Sequence, residues 1–262
     1  SGGLHSIRCA ATIGARYILY DYGWCGSTTD SSTTGLTPFP AAHLRRKYAG
    51  WSGLNITAIA HTASLHKIGL ILALPWETLQ RHYRVIIPTY SRWGIAAIKV
   101  GDLPSPPDAA TAAQLTTIAA TAASSNILLI VAAAAWYSLP DLSTTPIHIT
   151  ADLPTTPTSL CHLAHTHGVL GLFTPPRSHH HSATTLQRLI TPFVATSPFP
   201  VIATFPCPHL PLAAQPLTTL WSELPPDNIW DETIPLRSEP DLYFVIARRS
   251  GTRWFIIAVN GS

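Results

Sequence analysis

Apolar residues along the first half of the chain fall into short continuous runs separated by longer stretches of helical spacing. Residues 16–21 (Arg-Tyr-Ile-Leu-Tyr-Asp) predict a first strand, followed by Tyr-Gly-Trp and a Ser/Thr/Gly-rich loop to about residue 40. Ile56, Ile59, Ala60 and Ala63 recur at helical spacing and predict a helix over 55–67. The run 69–74 is apolar throughout, as expected of a strand buried on both faces. A helix over 77–93, a strand over 95–100, a helix over 108–123 and a strand over 127–133 continue the alternation. Residues 136–158 are rich in Pro, Thr and Ser and read as a long loop. Beyond it, strands are expected at 168–173 and 201–205, and helices at 182–190 and 210–224. Residues 242–247 and 254–259 alternate around Arg-Arg-Ser-Gly-Thr-Arg, a hairpin pattern.

Strands alternating with helices at this spacing imply right-handed crossovers and a parallel sheet. No Gly-x-Gly-x-x-Gly follows the first strand, which argues against a dinucleotide fold. Asp21, Glu77 and Asp102 instead stand at strand C-termini, where barrel enzymes keep their chemistry. Two closures are possible here, an open doubly wound sheet or a barrel, and these strand-tip residues favour a barrel over residues 1–226. A short antiparallel β-domain begins at 227 and runs to 262.

Composition narrows the function classes. Hydrophobic residues are 46% of the 262 and the formal net charge is +3, with no basic stripe, so neither disorder nor a nucleic-acid partner is expected. The longest apolar stretch, near 127–136, is too short to span a membrane. Charged residues are 11%, against about 25% in ordinary domains. Two readings stay open: a protein of genuinely low charge, or a sequence in which acidic residues have been recorded as Ala, Thr or Ser. Cys9, Cys25, Cys161 and Cys207 form no Cys-x-x-Cys pair, so a zinc ribbon is not expected. Two disulfides or buried free thiols both fit. The sequons at Asn55 and Asn260, with a first residue other than Met, point towards a processed or truncated chain and a secreted or periplasmic setting.

Several segments then resemble one family. Tyr17-Ile-Leu-Tyr-Asp21-Tyr-Gly-Trp24 is similar to the strand-plus-Gly-Trp signature of the family-97 glycoside hydrolases. So are Trp76-Glu77-Thr78-Leu79 and Tyr90-Ser-Arg-Trp93-Gly-Ile-Ala-Ala-Ile-Lys99-Val. Ile229-Trp230-Asp231-Glu232-Thr233, with Ile246-Ala-Arg-Arg249 and Trp254, resembles the stretch where that family leaves its barrel. The resemblance implies a (β/α)8 barrel, incomplete at the N-terminus because the family's N-terminal β-domain and first barrel strand precede the matching segments.

The resemblance implies cleavage of α-glucosides or α-galactosides by two carboxylates, with a bound calcium ion. One carboxylic acid protonates the leaving oxygen; the other activates water or attacks the anomeric carbon. Glu77 takes the position of a base candidate in inverting members and of a calcium ligand. Retaining members place their nucleophilic Asp where this chain has Gly101, and Asp102 follows one residue later. Ala134 stands where a polar ligand is expected, His167 replaces a further calcium ligand, and Phe173 occupies the position of the general acid. Asp21, Trp24, Trp76, Lys99 and Arg188 are the implied sugar-binding positions.

Each of these has a plainer reading. Asp21 is suited to capping or ion pairing, and Glu77 to the first turn of a helix, where the dipole favours an acid. His179, His180 and His181 form a solvated loop more readily than a metal cluster, and Arg188 suits an interior ion pair. Trp24, Trp76 and Trp136 suit core packing as well as sugar stacking. Two functions therefore stay in play. One is a two-carboxylate glycosidase. The other is a catalytically inactive barrel that binds glycan or serves a larger assembly, which Ala134 and Phe173 favour.

Overall fold

A computed structural model of the chain describes residues 2–12, 15–20, 24–25, 35–36, 55–104, 108–132, 147–150, 223, 225, 230–239 and 242–260. The chain divides into two units, Ser1–Ile149 and Thr150–Ser262.

In the first unit the elements run α1 (Gly2–Thr12), β1 (Tyr17–Tyr20), α2 (Ile56–Leu65), β2 (Gly69–Pro75), α3 (Trp76–Trp93), β3 (Ile95–Gly101), α4 (Ala109–Ser124), β4 (Leu128–Ala132) and β5 (Ile147–Thr150). One sheet holds the strands in the order β1-β2-β3-β4-β5. The first four pair in parallel, with Leu19 opposite Ile71, Ile71 opposite Ala97 and Lys99 opposite Ile130. Sequence order and spatial order coincide, as successive βαβ crossovers of one hand produce. The expected strands and helices between residues 16 and 132 are all present, within a residue or two of their predicted ends.

Local chemistry sets the helix boundaries. Asn55 caps α2, its Oδ1 accepting from the Ala58 N–H at 3.1 Å and from the Thr57 hydroxyl at 2.8 Å. Asp108 caps α4 in the same way, accepting from the Thr111 N–H at 2.8 Å and the Thr111 hydroxyl at 2.7 Å. Helix α3 follows Pro75 with no intervening loop, and Gly94 ends it at φ 75°, the left-handed conformation a helix C-cap requires. Pro88 lies inside α3 and withholds one rung of its hydrogen-bond ladder.

The helices bury one stripe each against one face of the sheet. Ile59 and Ala63 of α2, Leu79, Ile86 and Ile87 of α3, and Leu115 and Ile118 of α4 share a core with Leu70, Leu72, Leu74, Ile98, Val100, Leu129 and Val131. Those strand residues alternate with Ile71, Ala73, Ala97, Lys99 and Ile130, which are also buried and face the other way. The α4 sequence, Ala and Thr on its outer side, is tolerated because its buried stripe alone carries the packing: Thr111, Leu115, Ile118, Ala119 and Ala122.

Helix α1 and strand β5 are elements the sequence pattern does not predict. Helix α1 was not read from the pattern, although Leu4, Ile7 and Ala10 recur every third residue. Ile7 and Ala10 are buried, and Ile7 is fully enclosed. The loop expected over 136–158 contains strand β5, whose Ile-His-Ile-Thr alternation is only four residues long and sits directly after Pro146. Sheet pairing, rather than local pattern, makes it a strand.

In the second unit a three-stranded antiparallel sheet is built from β6 (Glu232–Glu239), β7 (Tyr243–Ser250) and β8 (Arg253–Asn260), in that order. The expected hairpin is present, but its strands run further into the Arg-rich segment than predicted. Ser250 pairs with Arg253, leaving only Gly251 and Thr252 as the turn. Gly251 at φ 59° supplies the positive φ that a two-residue hairpin needs. One face of this sheet is buried through Phe244, Ile246, Arg248, Ile257 and Val259. No described helix is long and apolar enough to cross a membrane. The strands expected at 168–173 and 201–205 and the helices at 182–190 and 210–224 lie outside the described residues.

Candidate functional site

The C-terminal ends of β2 and β3 lie side by side, because Pro75 pairs with Gly101. Glu77 and Asp102 therefore follow adjacent strand tips, two residues and one residue beyond that pair. Neighbouring strands are about 4.8 Å apart, so both residues lie just beyond the same C-terminal end of the sheet.

Glu77 stands in the first turn of α3 with its side chain 64% exposed, and Arg81 one turn later donates from Nη2 at 3.5 Å. The pairing is an exposed i,i+4 contact of small energetic weight, leaving the carboxylate open to solvent. Asp102 is exposed and takes φ 60°, a left-handed conformation that Asp tolerates better than most residues. The left-handed step turns the chain sharply at the end of β3.

Lys99 is the only Lys, Arg, Asp or Glu in the described strands of the parallel sheet. It is 5% exposed and points to the face away from the helices. Its neighbours there are small or aliphatic: Ala73 and Ile130 across the strands, Ala97 and Gly101 along its own. Such neighbours leave room for a long side chain to extend towards the strand tips. Burying an ammonium is costly without polar partners, and Lys99 does hold an interaction in its buried position.

The two described tryptophans of the implied sugar-binding set are buried, each at 3% exposure. Trp24 donates from Nε1 to the Ala73 carbonyl at 2.8 Å and packs 6.1 Å from the Tyr90 ring. Tyr90 in turn donates its hydroxyl to the Gly35 carbonyl at 2.6 Å and stacks on Trp93 at 5.5 Å. Burial raises the Tyr90 hydroxyl well above the usual phenol range and pushes the buried Cys25 thiol up to about 11. This aromatic group fastens residues 24–25 and 35–36 to β2 and α3, just behind the strand tips. Sequence reading gave Tyr90 no role beyond its helix, since a contact to residue 35 has no local signal.

Of the other sequence-derived positions, Asp21, Ala134, Trp136, His167, Phe173, His179 to His181 and Arg188 lie outside the described residues. Among the described residues no group of three or more His, Cys, Asp or Glu side chains is arranged to hold a metal. Calcium takes about six to eight oxygen ligands. Glu77 is the one implied ligand described; Ala134 offers no donor side chain, and His167 offers nitrogen where calcium prefers oxygen.

In the second unit the Trp-Asp-Glu segment acts as a clamp on the hairpin. Asp231 accepts from the Gly251 N–H at 2.7 Å, and Glu232 accepts from Arg249 Nε at 3.2 Å. Trp230 meets the Phe255 ring edge-on at 5.2 Å and lies under the buried Arg248 guanidinium at 5.3 Å. Burial lowers Arg248 to about 10.

Comparisons with known proteins agree with this architecture. Residues 229–262 match the family model described as glycosyl-hydrolase 97 C-terminal, oligomerisation. A family-97 glycoside hydrolase from Pseudoalteromonas sp. strain K8, solved with acarbose, superposes with a TM-score of 0.68 at 15% identity, over 99% of this chain and 45% of that one. A GH27 β-L-arabinopyranosidase from Geobacillus stearothermophilus gives 0.66 at 12% identity, over 100% of this chain and 80% of that one. A structure described as a putative α-N-acetylgalactosaminidase from Bacillus halodurans C-125 gives 0.60 at 12% identity, over 95% and 77%. The chain thus spans under half the length of the Pseudoalteromonas enzyme it matches. No curated protein matches it. The family-97 resemblance read from the sequence is borne out, with a parallel sheet flanked by helices and a separate antiparallel sheet as the shared arrangement.

Proposed function

We propose, starting from the match of residues 229–262 to the family-97 C-terminal domain, that this chain is the catalytic-barrel portion of a glycoside hydrolase acting on α-glucosides or α-galactosides. In this reading the parallel sheet continues into a closed (β/α)8 barrel over residues 1–226. The observation that carries it is the juxtaposition of Glu77 and Asp102 beyond paired strand tips, with Lys99 buried one turn of the pleat below. Carboxylates gathered at strand C-termini are what a barrel uses to act on a substrate.

Glu77, exposed and held loosely by Arg81, serves as the base that takes a proton from water. Lys99 donates to sugar hydroxyls, which accept hydrogen bonds from an ammonium on the inner face. Asp21 and Arg188 complete the sugar contacts, and Trp24 and Trp76 act from behind, by holding the strand tips in place. A hydrolysis of this kind also needs a proton for the leaving oxygen. The acid falls at or near position 173, where the sequence has Phe. The setting is secreted or periplasmic.

A second reading is favoured by Ala134 and Phe173 themselves: a barrel that binds carbohydrate or serves a larger assembly without cleaving it. Peptide mass spectrometry over residues 130–173, together with hydrolysis of aryl α-glucoside and aryl α-galactoside with and without a chelator, separates the two. Carboxylates at 134 and 173 with turnover of either glycoside are the expected result. Confirmed Ala134 and Phe173 with no turnover of either would leave binding or scaffolding alone.

A further inference from the structure

We propose that Tyr90 and Gly35 are positioning residues for Glu77. The buried Tyr90 hydroxyl, acting through the Gly35 carbonyl, fixes the first turn of α3 and with it the place of the carboxylate. The assignment rests on the reading of Glu77 as the base.

The first turn of α3 lacks the usual local anchor. Pro75 occupies the N-cap position and makes no side-chain cap hydrogen bond. The Arg81 contact to Glu77 is long and exposed, so it restrains the carboxylate weakly. Packing from a distant segment supplies the constraint instead. Gly35 is buried. A Cβ there would lie 3.1 Å from Ile86 Cδ1, 3.3 Å from Leu74 Cδ2 and 3.4 Å from Thr78 Cγ2. Leu74 and Thr78 bracket the Pro75-Trp76-Glu77 step, so the Gly35 backbone rests on both sides of it. Its φ of 69° is one that glycine adopts without strain.

The far end of the same helix secures this contact. Tyr90 is fully enclosed and donates its hydroxyl to the Gly35 carbonyl at 2.6 Å. Tyr90 follows Thr78 by 12 positions, about 18 Å of helix. Helical side chains lean towards the N-terminus, so a long one at 90 reaches back over that gap. Pro88 falls between the two and withholds one rung of the ladder. Gly35 touches residues before that break and is held by one after it. The bond therefore braces α3 across its missing rung. Trp93 stacks on the Tyr90 ring at 5.5 Å and Trp24 packs at 6.1 Å, so the ring keeps its place when the hydroxyl is removed.

The test is steady-state hydrolysis of aryl α-glucoside and aryl α-galactoside by the full chain, well below its melting temperature. Tyr90→Phe deletes the hydroxyl and keeps the ring. Asn55→Ala removes the α2 cap and controls for stability lost away from Glu77. Tyr90→Phe should lower kcat about tenfold with KM within about twofold, because a misplaced base slows proton transfer more than it weakens binding. Asn55→Ala should keep the wild-type kcat. In a Glu77→Gln background Tyr90→Phe should cost nothing further, since it acts through the carboxylate already removed. Thr78→Ser, which deletes the methyl facing Gly35 and keeps the hydroxyl, should give a smaller fall of the same kind, and it carries the test if Tyr90→Phe does not fold. An unchanged kcat in both variants, a change confined to KM, or a full second loss on top of Glu77→Gln overturns the proposal. Wild-type turnover with unaffected variants sinks only this positioning role. A wild-type chain that turns over neither glycoside sinks the glycosidase reading and takes this role with it.

Discussion

Trp24 and Ala73 are forty-nine residues apart in sequence and joined by a buried 2.8 Å hydrogen bond from the indole Nε1 to the strand carbonyl. The bond fixes the segment after β1 against the C-terminal half of β2, the same half that delivers Glu77. Replacing Trp24 with Phe keeps most of the ring but leaves the carbonyl without this donor inside the core. The expected cost is about 1–3 kcal/mol, read as a lower urea midpoint with an unchanged m-value.

Glu77 should separate chemistry from stability. Its carboxylate is mostly exposed and its ion pair with Arg81 is a long 3.5 Å contact, so Glu77→Gln should change unfolding free energy by less than about 0.5 kcal/mol. Loss of a general base should lower kcat by about a hundredfold or more. A variant retaining full turnover would remove Glu77 from the reaction.

Lys99 offers the complementary test. Lys99→Met keeps most of the bulk but strands the group that the buried ammonium interacts with, so stability should fall by about 1–3 kcal/mol. Binding of an α-glucoside or α-galactoside, measured by calorimetry, should weaken at least tenfold if the ammonium donates to sugar hydroxyls. Unchanged binding together with lost stability would make Lys99 a purely structural residue.

Asp108 gives a pH signature. Hydrogen bonds from the Thr111 N–H and hydroxyl hold its carboxyl below the usual carboxylate range. The folded value lies below the unfolded one, so this stabilisation is present above about pH 4 and is lost as pH falls through the folded value. Wild type should therefore melt above Asp108→Ala at pH 7, with the gap closing in strong acid. A gap of constant size down to the lowest pH would show that the cap acts without its charge.

Cys25 provides a second titration. Burial pushes its thiol from 9.0 up to about 11, so the thiolate is scarce at pH 8 and alkylation of Cys25 in the folded chain should be slow. The folded value is the higher one, so the associated stability is intact below pH 9 and declines as pH climbs towards 11. Peptide mapping after timed alkylation, with and without denaturant, reads both effects; rapid labelling of the native chain at pH 8 would contradict the burial.

Much of the architecture was legible in the residues themselves. The apolar run at 69–74 reads as a doubly buried strand because a parallel sheet covered on both sides leaves no polar alternation, and 95–100 reads as another strand of the alternation. Asn55, Asp108 and Gly94 mark helix ends by chemistry that acts within four residues, and the hairpin turn at Gly251 is equally local. The pattern also placed Glu77 and Asp102 at strand tips, and the family resemblance added Lys99.

What the sequence could not show was everything set by distant contact. Strand β5 has too few residues to declare itself and exists by pairing, and α1 is fixed by the burial of Ile7 and Ala10. The Trp24–Ala73 and Tyr90–Gly35 bonds join segments separated by 49 and 55 positions, and nothing in either segment encodes its partner. Trp24 and Trp76 look alike on paper as sugar platforms; packing alone enclosed both. Short-range hydrogen bonding and periodicity are written residue by residue, whereas burial is a property of what arrives from elsewhere in the chain.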